Sequence, residues 1–524
     1  MKRYTIGIDY GTLSVRAVLV DVADGREVAC SVFEYPHGVM DKMLPGGVPL
    51  GQDWALQHPQ DYLDGLFYTV PQVAASVDKN EIIGIGVDFT ASTAMPVLND
   101  GTPLCLLAEY ENIPHAYVKL WKHHAAQEQA RRITEIAITR KEKWLSRYGN
   151  TVSSEWAIPK VLQLVEEAPD IYEKMAAWEE AGDWIVWQLT GRNTKNASCA
   201  GYKGFYDLVE GYPSEEFFEE IHPQLKHFVK EKYNAPVVKQ GSVAGFLTKE
   251  MAEKLGLREG TAVAAANIDA HVCVPAVGMN KKGQMLAIMG TSTCHMSLSD
   301  CFTEVPGICG AVREGILPGC IGFEAGQSCC GDHFAWFVQN VVPKEYYDEA
   351  ARRGVDVHQY LTMLAEKLRP GESGLLALDW WNGNRSILVD IDLSGLLLGL
   401  TLQTKPEEIY RALIEATAYG TRIIVENYRH HGVEVNEFFA TGGISQKNAM
   451  AMQIYADVLN MPIRIAGSKQ GAAVGSAVFA AVAAGKAAGG YEDISEAAQY
   501  MGSVKEKHFE PILENVRIYD KLFA

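Results

Sequence analysis

The sequence predicts an α/β protein of two large domains sharing one ligand cleft, and three observations predict it. At 524 residues the chain is too long for a single core. It opens on a hairpin pattern: Ile6 and Ile8 alternate with smaller or polar neighbours, and after a turn at Tyr10-Gly11-Thr12 the residues Val15, Ala17, Leu19 and Asp21 alternate with Arg16, Val18 and Val20. Past the middle, Leu286-Ala-Ile-Met-Gly290-Thr291-Ser292-Thr293 repeats the design of apolar strand, Gly-Thr-Ser and second strand. Two such hairpins suggest two related halves gripping one ligand.

The first hairpin tip is chemically loaded. Gly11 lets backbone approach a ligand, Thr12 and Ser14 carry hydroxyls, Arg16 a cation, and Asp9 a carboxylate at the strand end. Backbone amides at such a turn can cradle an anion, and the neighbouring carboxylate suits a hydrated Mg²⁺ carried by phosphates. Asp61 to Val77 reads as an amphipathic helix feeding a buried strand, Ile82 to Asp88, that ends in small polar residues. An α/β sheet places its ligand at such strand ends. Gly84 and Gly86 form half a dinucleotide fingerprint, with no third glycine opening a helix, and no Gly-x4-Gly-Lys-[Ser/Thr] loop occurs. Phosphate binding therefore falls to the hairpins.

Residues 114–178 read as helix-rich, with Tyr117, Leu120, Trp121 and His124 on one face. Ala181 to Gly191 is a helix closed by glycine, in which Trp184 and Trp187 read as core. Asn196 to Asp207 reads as a loop of small and polar residues. A strand from Thr261 ends at Asn267 and Asp269, and a helical segment follows; Asp269 is either a helix cap or a functional carboxylate. The polar turn Asn280–Gly283 marks a boundary, giving domains over 1–279 and 280–490 and a C-terminal tail over 491–524. In the second domain a long helix spans Pro406 to about His431. Phe438 to Asn448 runs strand, Gly442-Gly443 turn, helix, an arrangement suited to an adenosine or phosphate. Gly471 to Gly485 reads as a buried helix of small residues against which another backbone can approach closely.

Composition narrows the function. The net charge of −18 disfavours a nucleic-acid partner. The most apolar stretch, Gly471 to Gly485, is too short and too weakly apolar to cross a bilayer, so no membrane partner is expected. Met1-Lys-Arg-Tyr-Thr leads straight into a strand without a signal segment. The ten cysteines include no Cys-x-x-Cys, which favours reduced thiols and a cytoplasmic location. The His pairs lack metal-ligand spacing. Apolar surface for a homodimer could lie on either domain.

The two hairpins, the Gly-Gly turn and the terminal small-residue helix, in this order, resemble the actin-like, sugar-kinase and chaperone ATPase superfamily. Within it, Glu155-Trp-Ala-Ile-Pro-Lys160-Val-Leu-Gln-Leu resembles the first signature of the FGGY carbohydrate kinases, and Gly395-Leu-Leu-Leu-Gly399-Leu400 with Glu408 to Glu415 resembles the second. The resemblance runs from about Tyr4 to Gly485. Gly86 to Pro96, Pro114 to His124 and Asn267 to His271 are most similar to the members that phosphorylate ribulose. Thr90-Ala91-Ser92 stands where glycerol kinases carry Arg-Glu and xylulose kinases tend to carry Gln-Met-His.

The resemblance implies an actin-like, ribonuclease H-like fold. It also implies ATP- and Mg²⁺-dependent phosphorylation of L-ribulose, a ketopentose, at its terminal 5-hydroxyl, in arabinose degradation. It makes Asp269 the catalytic base and Asp9 the metal-water carboxylate. Gly11, Thr12, Arg16, Gly290 and Thr291 then serve the phosphates, and Gly442, Gly443 and Asn448 the adenosine. Ala91, Lys203, Glu324 and Asp269 meet the sugar, with Lys203 and Glu324 in loops. Two domains around one cleft imply hinge closure. The alternatives are another polyol (D-ribulose, xylulose or glycerol) and a non-kinase actin- or chaperone-like ATPase.

Overall fold

The computed structural model describes Lys2–Ala524 as α/β throughout. The chain forms two compact units and passes between them several times. The first holds the residues up to Asn280, Ala311–Gly322 and Gln470–Ser503; the second holds Lys281–Gly310, Phe323–Lys469 and Val504–Ala524. The chain first changes unit at the polar turn after Asn280, but the expected continuous domain 280–490 does not exist as one body. The expected tail is structured too. It supplies the helix Ile494–Met501, the edge strand Val504–Phe509 and the helix Leu513–Phe523.

In the first unit Tyr4–Tyr10 and Ser14–Asp21 form the antiparallel hairpin, Glu27–Glu34 extends it, and Ile82–Phe89 pairs in parallel on the other side. Period-two patterning decides the packing. Ile6, Ile8, Ile85 and Val87 join Tyr62, Leu66, Val70, Trp184 and Ile185 in one core. The opposite face carries Thr5, Gly7, Gly84 and Gly86, and receives the helix Gly471–Ala484. A Cβ on Gly7 would lie 1.7 Å from the Ala473 carbonyl oxygen, and one on Gly86 2.0 Å from that of Ser476. Glycine is required at both, because helix backbone lies directly on strand backbone. A four-stranded layer, Leu56–Gln57, Val118–Lys119, Ala94–Val97 and Ala177–Glu180, completes the unit's inserted region.

The second unit repeats the scheme. Gly283–Met289 and Thr293–Ser299 make a hairpin, Val435–Thr441 pairs in parallel with the first of these strands, and Ile463–Ala466 and Val504–Phe509 follow. Two local expectations fail. Tyr117–His124 is no helix: a 3-10 turn at Pro114–Ala116 leads into the strand Val118–Lys119, and the next helix is Gln127–Arg140. Conversely, the expected loop after Asn196 is the helix Ala197–Lys203, capped by the Asn196 side chain on the Cys199 amide at 2.7 Å.

Candidate active site

Sheet register decides which side chains meet in the first unit. Parallel pairing sets Asp9 opposite Asp88, and the short strand Asn267–Ile268 sets Asn267 on the other side of Asp88. Asp269 follows as the first residue of the helix Asp269–Ala276, its Oδ1 accepting from the Ala270 amide at 2.7 Å. The cap reading is thereby corrected, since Ile268 holds the cap position.

Asp9 and Asp88 interact directly, and Asp269 lies near enough to repel Asp88. Burial pushes the Asp9 carboxyl up, against the opposing effects of its hydrogen bond with Asp88 and of Arg16. Burial, then the charge of Asp9, pushes Asp88 well above the carboxylate range. Asp88 Oδ2 accepts from Ser476 Oγ at 2.6 Å, but among the described residues no donor reaches its buried Oδ1. Asn267 Nδ2 is likewise buried without an acceptor among the described residues. Two adjoining carboxylates, one with a buried unpartnered oxygen, suit a hydrated divalent cation, so the residues present fit Mg²⁺.

Arg16 is the cross-hairpin partner of Asp9, its Nη1 3.7 Å from Asp9 Oδ2, so it partners the carboxylate behind the tip. The Gly11 amide donates to the Ser14 carbonyl at 2.9 Å, and the Gly290 amide to that of Ser292 at 2.9 Å. Both amides are engaged within their turns, which leaves only other backbone and hydroxyl groups at the tips for any anion. Thr12 anchors its hairpin: its Oγ1 accepts from Trp121 Nε1 at 3.0 Å, and its carbonyl from Gln57 Nε2 at 2.7 Å.

Ala91 sits half-buried in the turn that links Phe89 to the strand Ala94–Val97. Lys203 ends the helix Ala197–Lys203, 5% exposed, with Nζ 5.9 Å from the Trp156 ring centre and 5.8 Å from that of Tyr202. Glu324 lies within the strand Ile321–Gln327 of the second unit. Neither Lys203 nor Glu324 is in a loop, contrary to expectation.

In the second unit the hairpin tip docks on a helix start. The Gly331 and Cys330 amides donate to the Gly290 and Thr291 carbonyls at 2.9 and 2.8 Å. Gly442, at φ +93, brings the second glycine turn so close that a Cβ would lie 2.5 Å from the Met289 carbonyl oxygen. Gly290, Thr291, Gly442 and Gly443 thus converge, and Gly443 faces open space. Asn448 caps the helix Ala449–Leu459, its Oδ1 accepting from the Ala451 amide at 2.9 Å, while its Nδ2 donates to Thr362 at 3.3 Å. That side chain is committed to structure.

Sequence reasoning missed two residues. Asp88 was legible as a repeat, since Ile85-Gly-Val-Asp-Phe-Thr echoes Ile6-Gly-Ile-Asp-Tyr-Gly-Thr. Lys160 stood inside a signature, but nothing in the sequence told what it touches. A third cluster, His37, His58 and Asp61, brings possible ligand atoms within 4.8 Å of one another. His37 Nδ1 lies 2.6 Å from Asp61 Oδ1 and the imidazoles of His37 and His58 stack at 4.3 Å, the geometry of a hydrogen-bonded stack around a helix cap.

The two-unit α/β fold is that of a sugar-kinase-like phosphotransferase, as comparison with known proteins shows. The FGGY family of carbohydrate kinases matches through its N-terminal domain over residues 4–275 and its C-terminal domain over 285–484. The chain is 57% identical over 515 residues to a ribulokinase of Bacillus licheniformis, covering 98% of this chain and 93% of that protein. It is 56% identical over 524 residues to a ribulokinase of Halalkalibacterium halodurans, covering 99% and 93%. Among solved structures, xylulose kinase from Rhodospirillum rubrum superposes with a TM-score of 0.81 at 22% identity, covering 99% of this chain and 97% of that one. Plasmodium falciparum glycerol kinase with ADP gives 0.79 at 15% identity, covering 99% and 96%. These two likenesses concern the fold. The chain belongs to the FGGY family of carbohydrate kinases, and is an ATP-dependent phosphotransferase.

Proposed function

We propose that this chain transfers the γ-phosphoryl group of ATP to the 5-hydroxyl of L-ribulose, giving ribulose 5-phosphate and ADP, as in arabinose degradation. The observation that carries the reading is identity of 57% and 56% over nearly the whole chain to two ribulokinases, with the acid cluster Asp9, Asp88 and Asp269 intact. The ten free cysteines favour a reducing, cytoplasmic setting.

Asp269 is the base in this reading. A primary alcohol is a poor nucleophile, and a carboxylate at hydrogen-bond distance orients it and takes its proton as the new P–O bond forms. The Ala270 amide fixes Asp269 Oδ1 for that task. Asp9 and Asp88 would hold Mg²⁺, which when bound would supply charge neutralisation on the phosphates. Ala91, Lys203 and Glu324 bind the uncharged sugar by hydrogen bonds. Gly290, Thr291, Gly442 and Gly443 present backbone to the nucleotide.

The test is ADP release with Mg·ATP against L-ribulose, D-ribulose, D-xylulose, L-xylulose and glycerol, beside Asp269→Asn. Strong stimulation by L-ribulose is expected, with kcat about 10²- to 10⁴-fold lower in the variant. Stimulation by xylulose or glycerol alone keeps the family and overturns the substrate. Sugar-independent hydrolysis untouched by the substitution would overturn the kinase mechanism.

A further inference from the structure

We infer that Lys160 is a positioning residue for the sugar: one buried ammonium that sets the Thr90–Thr93 turn, carrying Ala91, before any ligand arrives. The inference rests on the reading of Ala91 and Lys203 as sugar contacts.

Lys160 lies in the helix Ala157–Glu167 and is 0% exposed. Its Nζ donates to the Ser92 carbonyl at 2.6 Å and to the Leu120 carbonyl at 2.9 Å. These bonds tie three segments distant in sequence. Ser92 is the residue after Ala91 and holds φ at +57, a left-handed backbone that costs a serine energy unless its surroundings impose it. Leu120 precedes Trp121, whose indole N–H holds the Thr12 hydroxyl at the hairpin tip. Lys160 therefore couples the sugar turn to the hairpin beside the acid cluster.

The turn is braced from its other sides as well. Thr90 and Thr93 share a hydroxyl–hydroxyl hydrogen bond at 2.8 Å, and the Ala181 amide donates to the Thr93 carbonyl at 2.7 Å. Cys199, from the helix that ends on Lys203, bonds the Ser92 backbone. Around the ammonium stand Glu180, Glu155, Cys199, Lys203 and Lys119. Burial brings Lys160 down to about 7 and Glu180 up to about 7, so neither charge is held cheaply. A buried lysine at this cost is better placed to fix geometry than to add stability.

The physical consequence concerns ground-state binding. A turn fixed in advance spares the sugar the entropy of ordering it, so losing the brace weakens sugar binding selectively. The experiment compares Lys160→Met, which keeps the stem volume and removes the donors, with Lys160→Arg, which restores two. Both are titrated with L-ribulose and with ATP, and kcat is normalised to the folded fraction. We expect Lys160→Met to raise KM for the sugar at least tenfold, to leave KM for ATP within about twofold, and Lys160→Arg to recover part of the loss. A purely structural role would lower the folded fraction and leave the sugar KM of the remaining enzyme unchanged, which overturns the inference. Should neither variant fold, amide hydrogen exchange of the wild-type protein decides. Slow exchange at Ala91–Thr93 without sugar supports the brace, and fast exchange that slows only with sugar overturns it. If no ketopentose stimulates the wild-type enzyme, the functional reading fails first, and the exchange measurement still tests the brace.

Discussion

Asp88 and Asp9 face a conflict that ionic conditions resolve. Both carboxyls are raised by burial and, for Asp88, by the charge of Asp9. A raised carboxyl binds more protons folded than unfolded, so its stabilising effect is complete below the unfolded carboxylate pKa of about 3.9 and is lost as pH rises through the folded value. A divalent cation held by the pair favours the ionised form and opposes that loss. The gain in Tm from Mg²⁺ with nucleotide, relative to nucleotide with chelator, should therefore grow as pH rises from the unfolded carboxylate value of about 3.9 towards neutrality. Calorimetry across that range checks it, and a gain that is flat with pH would count against the pair as the metal site. Asp88→Asn should act oppositely on stability and activity. Where Asp88 is ionised it removes one buried charge while keeping an acceptor for Ser476, so the metal-free protein should gain roughly 1 kcal/mol at that pH. Turnover should fall at least about 10²-fold. Asp88 carries a sequence signal as an echo of the Asp9 motif, but its partner emerges only once parallel register sets it beside Asp9. The partners of Lys160 emerge only in the fold for the same reason: carbonyl acceptors 68 and 40 residues away leave no trace in local spacing.

The secondary-structure elements were legible where their signals are local. Both hairpins, the helix Pro406–His430 and the small-residue helix Gly471–Ala484 lie where alternation, periodicity and glycine place them. The helix Ala197–Lys203 was misread because its Ser, Cys and Gly content looks irregular, while burial and the Asn196 cap override weak propensity. Tyr117–His124 was misread in the other direction, since apolar residues at helical spacing can equally fill a buried strand and turn. Glycine positions give the sharpest test at this scale. Gly86→Ala forces a Cβ against the Ser476 carbonyl and should cost about 1–3 kcal/mol or more, with loss of activity because Ser476 holds Asp88. Gly443→Ala points into open space, so Tm should change by the equivalent of less than about 0.5 kcal/mol. If bare backbone there meets the nucleotide, KM for ATP should still rise. Thermal melts and steady-state kinetics on the two variants separate packing from binding.

For the whole molecule, the order of elements along the chain and the composition of the folded units differ, and folding should reveal it. The sequence reading closed the first domain at residue 279, a boundary drawn from a polar turn. The structure returns Gln470–Ser503 to that unit after the chain has built most of the other. The helix Gly471–Ala484 covers the strand face bearing Gly7, Gly84 and Gly86, Thr5 donates its hydroxyl to the Ala477 carbonyl at 2.9 Å, and Ser476 donates to Asp88 Oδ2. Val312 packs on Gly201, and the Tyr202 hydroxyl donates to the Gly322 carbonyl at 2.6 Å, so Ala311–Gly322 closes another part of the same unit. A fragment of residues 1–279 lacks both pieces. It leaves strand backbone uncovered and buried polar groups unpaired, a defect that no local propensity repairs. The fragment should retain helical far-UV dichroism, lose near-UV dichroism and melt without a cooperative transition, whereas the full chain melts cooperatively. A sharp, reversible melt of the fragment with native-like near-UV dichroism would restore the boundary at 279 and reduce the returning helix to an accessory.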